Sequence, residues 1–148
     1  MGSKLGAVQG RKVAVNRLAV LLVGPIARVR QGVRMRIELE PDIEVVGEVG
    51  DSDTGPDTVR TLCPDVVVVN LVSDSVGALV SLRRLTATAP VVVLSNHDGI
   101  GPRAAIMAAG ASALVPMVSS PEELLDAIRR AAREATAGRV GPWCPDVG

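Results

Sequence analysis

The sequence predicts an α/β domain, a parallel sheet of five strands covered by helices on both faces. Three observations predict it. Short apolar, β-branched runs alternate with helix-length segments. Several of those runs are apolar without interruption, as strands buried on both faces must be. Finally, 148 residues that are 47% hydrophobic suit one domain with a full-sized core.

Leu18–Val23 (LAVLLV) opens the alternation as a continuous apolar run. Residues 26–39 follow at helical spacing, with Ile26, Val29, Val33, Ile37 and the stem of Arg30 on one face, and Pro41 closes them. Ile43–Val49 (IEVVGEV) alternates in part, which predicts an edge strand. Gly55–Leu62 reads as a short helix stopped before Pro64. Residues 66–69 are consecutive valines and predict a central strand that ends at Asn70. A helix over 76–85 turns Leu79, Leu82 and Leu85 inward, and 91–94 (VVVL) is the next strand. Residues 103–109 predict a helix closed by Gly110 as a left-handed cap. Before it, Gly99-Ile100-Gly101-Pro102 is expected to delay or loosen the helix start. A short strand follows at 113–115. Ser120-Pro121-Glu122-Glu123 then has the order of a capping box, opening a helix to about residue 135 with Leu124, Leu125, Ile128 and Ala132 on one face.

Composition narrows the function. Phe and Tyr are absent and Trp143 is the one aromatic residue, so no platform exists for stacking bases. The 16 basic and 16 acidic residues cancel, leaving no bulk footprint for nucleic acid or anionic membrane. Arginines cluster at Arg28, Arg30, Arg34 and Arg36, and again at Arg129, Arg130 and Arg133; solvated helix faces account for them. Cys63 and Cys144 lie outside any Cys-x-x-Cys spacing and are expected to be ordinary thiols. No apolar run approaches the ~20 residues of a membrane span, and the first residues lack a secretory pattern; a cytoplasmic protein is expected. Residues 1–16 read as an N-terminal tail, 17–137 as the domain and 138–148 as a linker-like tail.

In a parallel α/β sheet, ligands collect at the carboxyl ends of the central strands. Here that edge consists of Gly24-Pro25, Asn70, Ser95 and Pro116-Met117. It holds no carboxylate, so metal-assisted chemistry is not expected there. Ser95 and His97 have a Ser-x-His spacing, but neighbouring loop residues rarely form a nucleophile and base. Gly47-Glu48-Val49-Gly50 ends a strand and opens no helix, so it is no dinucleotide fingerprint.

Seven stretches nonetheless carry a family resemblance. They are VLLV at 20–23, EPDIEVVGEV at 40–49, CPDVVVVNL at 63–71, LRRL at 82–85, APVVVLSNHD at 89–98, AAGA at 108–111 and SPEELLDAIRRAA at 120–132. In order and spacing they resemble the receiver domain of LuxR/NarL/FixJ-type bacterial response regulators. The resemblance implies a CheY-like, flavodoxin-like sheet of strand order 2-1-3-4-5. It also implies phosphorylation of an aspartate after the third strand, with Mg²⁺ held by that residue and an acidic pair after the first.

Carried over residue by residue, the acidic pair falls on Gly24 and Pro25, the phosphoacceptor on Asn70, the phosphoryl-contacting Ser/Thr on Ser95, the lysine on Met117 and the aromatic switch on Leu114. Only Ser95 keeps the family's pattern. The loop that usually reads Met-Pro-Gly reads Ser73-Asp74-Ser75, and Asp74 and Asp98 are the nearest remaining acids. A phosphorylation-independent pseudo-receiver is therefore expected, with no catalytic residue, cofactor or metal.

It would act in transcription control through homodimerisation, a protein partner or a small molecule at the altered pocket. The band of Arg129, Arg130 and Arg133 on the last helix could pair with Glu122, Glu123 and Asp126 across a two-fold axis. DNA would be met only through a helix-turn-helix, which these residues do not contain, and no membrane contact is expected. The alternative, a flavodoxin-like nucleotide-binding domain or enzyme, would need a phosphate-cradling loop; Gly24-Pro25-Ile26 is too short and too apolar for one.

Overall fold

The computed structural model describes residues 17–51, 53–72, 75–95 and 100–138. The elements run β1 (Leu18–Val23), α1 (Ala27–Glu38), β2 (Ile43–Val49), α2 (Gly55–Leu62), β3 (Val66–Leu71), α3 (Val76–Thr86), β4 (Val91–Ser95), α4 (Ile100–Ala108), β5 (Ala113–Pro116) and α5 (Pro121–Gly138). All strand pairs are parallel and the order is β2-β1-β3-β4-β5. The partly alternating β2 is at one edge and the all-valine start of β3 is at the centre, as their patterns require.

Alternation along the strands divides the core in two. Val20, Leu22, Val66, Val68, Val92, Leu94 and Val115 face Ile37 of α1 and Leu124, Leu125 and Ile128 of α5. Leu21, Val23, Val67, Val69, Leu71, Val91 and Val93 face Val59 of α2, Leu82 and Leu85 of α3 and Ile106 of α4. The inward stripes of α3 and α5 are those expected. Ile26 departs from its expected place: it is the N-cap of α1 and 44% exposed.

Several boundaries differ from the sequence reading, and three of them bear on the site or its surroundings. β3 continues through Asn70 to Leu71, because β4 pairs with it as far as Leu71↔Ser95. β5 includes Pro116, whose missing N–H is tolerated on an edge strand. α4 begins at Ile100, so Gly101 and Pro102 lie in its first turn. Proline fits there because the first-turn N–H groups have no helical acceptor, making Pro102 a start signal and no breaker. Gly110 does close α4, with φ +105°; a Cβ there would meet Thr86 Oγ1 at 2.6 Å.

Polar groups secure the amino-terminal edge. Asp65 donates its N–H to the Ala19 carbonyl at 2.7 Å, and its carboxylate accepts the Ala19 N–H at 2.8 Å. Nearby, Arg129 of α5 reaches the α1–β2 turn, donating at 2.9 Å to both Asp42 oxygens and at 2.7 Å to Glu40. The expectation that Arg129 serves a charge band facing a second copy is therefore corrected. Its guanidinium is engaged within the chain, by residues 87 and 89 positions away that only the fold brings near.

Cys63 is also not the ordinary thiol expected: it is disulfide-bonded. Counting cysteines could not reveal this, since pairing depends on proximity in space. Cys144, His97, Asp98, Ser73 and Asp74, with both terminal tails, lie outside the described residues. No helix among the described residues is long and apolar enough to cross a membrane.

The Arg129 guanidinium holds the Asp42 carboxyl below its ordinary value, against the opposing effect of burial. A lowered carboxyl pKa adds stability that is complete above the unfolded value near pH 4 and fades as pH falls through the folded value. Arg129→Met should therefore lose about 1 kcal/mol at pH 7, as expected for a half-exposed network. In urea titrations the gap to the parent should close below pH 4.

Candidate functional site at the carboxyl edge

The edge is assembled by the exits of β1, β3, β4 and β5. Val23 pairs with Val69, Asn70 with Leu94, and Ser95 with both Leu71 and Pro116. Gly24 continues β1 by donating to the Val49 carbonyl at 3.0 Å, and Met117 continues β5 by donating to the Ser95 carbonyl at 3.0 Å. The fold thus brings Gly24, Asn70, Ser95 and Met117 to one edge.

Among the described residues, their side chains have different surroundings. Gly24 lies directly over Asn70: a Cβ on Gly24 would sit 3.0 Å from the Asn70 Cβ and 3.5 Å from its carbonyl oxygen. A side chain there would need Asn70 to give by a few tenths of an ångström. Asn70 is 6% exposed, and its Oδ1 is buried without a hydrogen-bond donor among the described residues. Ser95 is 2% exposed. Met117 packs against the α1–α5 side of the core. It lines a cavity of about 150 Å³ with Val33, Arg36, Leu94 and Leu124, and Asn70 is not among the walls. That volume takes a benzene-sized molecule, well short of a nucleotide. Leu114 pairs with Val93 and packs on the other side of the sheet.

Among the described residues, charge at this edge comes from α1, and sequence reading missed its role. Arg30 donates from Nη1 to the Gly24 carbonyl and from Nε to Glu48 at 3.0 Å. Arg34 donates to Glu48 at 2.6 Å and to Glu38 at 3.1 Å. Arg34, then Arg30, hold the Glu48 carboxyl below its usual range despite partial burial. The one available signal was Arg30's place on the inward face of α1, where only its stem had been expected to count.

These residues do not fit a divalent cation. Mg²⁺ asks for hard oxygen ligands in near-octahedral array. Here the Gly24 carbonyl is bound by a guanidinium, Gly24 and Pro25 carry no carboxylate, and Asn70 offers a single neutral oxygen. Among the described residues no three His, Cys, Asp or Glu side chains are grouped to hold a metal.

No family model matches the chain. Among curated proteins it is 35% identical over 117 residues to the nitrate/nitrite response regulator protein NarP of Escherichia coli, covering 77% of this chain and 54% of NarP. It is 32% identical over 122 residues to the transcriptional regulatory protein LiaR of Bacillus subtilis, covering 78% and 56%. Among solved structures, a LuxR-family two-component response regulator from Aurantimonas superposes with a TM-score of 0.72 at 29% identity, over 80% of this chain and 86% of that one.

The chain is a response-regulator receiver domain of the LuxR/NarL family. It spans about half the length of the curated relatives it matches. The signal receiver domain of NarL from Mycobacterium tuberculosis shares the fold, with a TM-score of 0.71 at 19% identity over 80% of this chain and 98% of that one. The receiver's sheet order and its helices on both faces agree with the CheY-like architecture of these neighbours. Two-component signalling is therefore the setting in which its carboxyl edge must be understood.

A buried acceptor without a donor costs about 1–3 kcal/mol. Asn70→Val should leave this receiver equally stable or up to about 1 kcal/mol more so. Asn70→Asp should destabilise it by at least about 2 kcal/mol at pH 7, because a carboxylate would be buried without a partner. Urea unfolding of both variants measures this.

Proposed function

We propose that this receiver transmits its signal without aspartyl phosphorylation, as the regulatory domain of an atypical response regulator in transcription control. The observation that carries the reading is the contact of Gly24 with Asn70 beneath the Arg30 guanidinium. A phosphoryl group transferred here would need an ionised nucleophile and a cation to neutralise its developing charge. Asn70 is no such nucleophile, and Gly24 and Pro25 hold no cation. In this reading the domain catalyses nothing and takes no cofactor; it acts in the cytoplasm by contact.

Homodimerisation is part of the proposal. Support comes from the outer surface of α1, where Met35 is 66% and Leu39 71% exposed. DNA is contacted through a separate domain, consistent with relatives about twice as long as the match. The altered edge could admit a small fragment in the cavity beside Met117, but no observation favours a nucleotide or an enzymatic reaction.

Incubation with acetyl phosphate and Mg²⁺, followed by intact mass measurement, tests the central claim. Neither the parent nor Asn70→Asp should gain a phosphoryl group, because the substitution restores the nucleophile without the metal site. A stoichiometric adduct on the parent would overturn the proposal. Light scattering after size exclusion should give twice the chain mass, and Met35→Glu should lower it.

A further inference from the structure

We propose that the cavity between α1 and the β5–α5 connection binds a small carboxylic acid, with an apolar body of about six carbons and its carboxylate held by Arg36. The proposal gives the phosphate-independent reading an input, and in that respect it rests on that reading.

The cavity has two kinds of wall. Val33 of α1, Leu94 of β4, Met117 and Leu124 of α5 form the apolar part. Arg36 of α1, with Ser119 and Ser120 ahead of α5, forms the polar part. The volume, about 150 Å³, matches a six-carbon ring and excludes a nucleotide. Apolar walls favour a hydrocarbon body over water, and the unbranched, polarisable Met117 adapts to its shape.

Arg36 sets the charge of the ligand. Arg30 and Arg34 of the same helix are engaged by Glu48, and Arg34 also by Glu38. Among the described residues Arg36 has no carboxylate partner, and no wall of the cavity is acidic. Glu122 and Glu123, in the first turn of α5, are exposed and lie outside the walls. A guanidinium offers a planar fork that a carboxylate fills with two parallel hydrogen bonds, whereas an ammonium ligand is repelled. Inorganic phosphate satisfies the guanidinium but leaves the apolar walls uncovered.

Gly32 is a second, independent observation. It lies in the middle of α1, where glycine is the poorest helix former after proline. Its backbone does not require glycine, since its φ is not positive. Packing does not require it either: a Cβ on residue 32 would meet no atom within 4 Å. What lies beside it is the cavity. The missing side chain keeps that space open toward α1, about one helical turn from Arg36.

The experiment titrates the full, isotope-labelled chain with benzoate, benzyl alcohol and inorganic phosphate, followed by amide and methyl NMR shifts. Benzoate should saturate with a Kd of about 0.1–1 mM, the range open to so small a ligand, and should move Val33, Leu94, Met117 and Leu124. Benzyl alcohol and phosphate should each bind about tenfold more weakly or worse. Arg36→Met should weaken benzoate by about tenfold and leave benzyl alcohol unchanged. Gly32→Leu should weaken benzoate and benzyl alcohol alike by about tenfold, because its side chain takes the space. Its Tm should equal or exceed the parent's, so a binding loss there is not unfolding. The inference is overturned if benzoate does not saturate below about 10 mM, if it shifts residues away from these walls, if phosphate or benzyl alcohol binds as well, or if either variant leaves benzoate binding unchanged. A chain that binds benzoate and also gains a phosphoryl group loses the phosphorylation reading alone; a chain that does neither loses this inference alone.

Discussion

A strand buried on both faces and along its whole length tolerates no unbalanced charge, and β3 is such a strand. Each of its six residues is buried, Asn70 included. In water an ionised side chain is stabilised by solvent; inside this sheet only a bound cation or an adjacent donor could replace that. The uncharged side chains at the strand exits, Gly24, Pro25, Asn70, Ser95 and Met117, accord with this. With an amide at position 70, there is no charge for Gly24, Pro25 or Met117 to answer, and small or apolar side chains close the space. Gly24 then lets β1 exit close over the Asn70 Cβ, where a Cβ of its own would sit 3.0 Å away.

Charge is instead carried by the helices, where it binds the fold together. Arg30 and Arg34 converge on Glu48, joining α1 to β2 at the carboxyl end. Arg129 joins α5 to the α1–β2 turn at the opposite end. Both networks lie on the α1–α5 side of the sheet, and both use bidentate or forked guanidinium geometry, which lysine could not reproduce. Arg30 also binds the carbonyl that β1 presents at the edge, so one residue links sheet packing to the state of the site.

Elements whose identity depends on local pattern were legible. The buried valine runs, the Leu82 and Leu85 stripe and the left-handed Gly110 needed only periodicity and backbone preference. Boundaries set by a partner were not. Asn70 looked like a strand terminator because asparagine favours turns, yet pairing with β4 carries the strand past it. Gly101 and Pro102 looked disruptive because their position in the first turn, where they are tolerated, could not be read from type alone. The site was legible as a set of missing carboxylates. Its packing and its guanidinium were not, since both involve atoms from different elements.

By itself the sequence determined the alternating architecture, the missing carboxylates at the strand exits and the family resemblance, because these depend on residue type and order along the chain. Only the tertiary structure decided that Gly24 rests on Asn70, that Arg30 binds the Gly24 carbonyl, that Arg129 is engaged by Glu40 and Asp42, and that Cys63 is oxidised. Each of these is a contact between residues remote in sequence or turned toward each other by packing. Such contacts are specified by distances of a few ångströms, which the chain acquires only when the sheet closes between its helices.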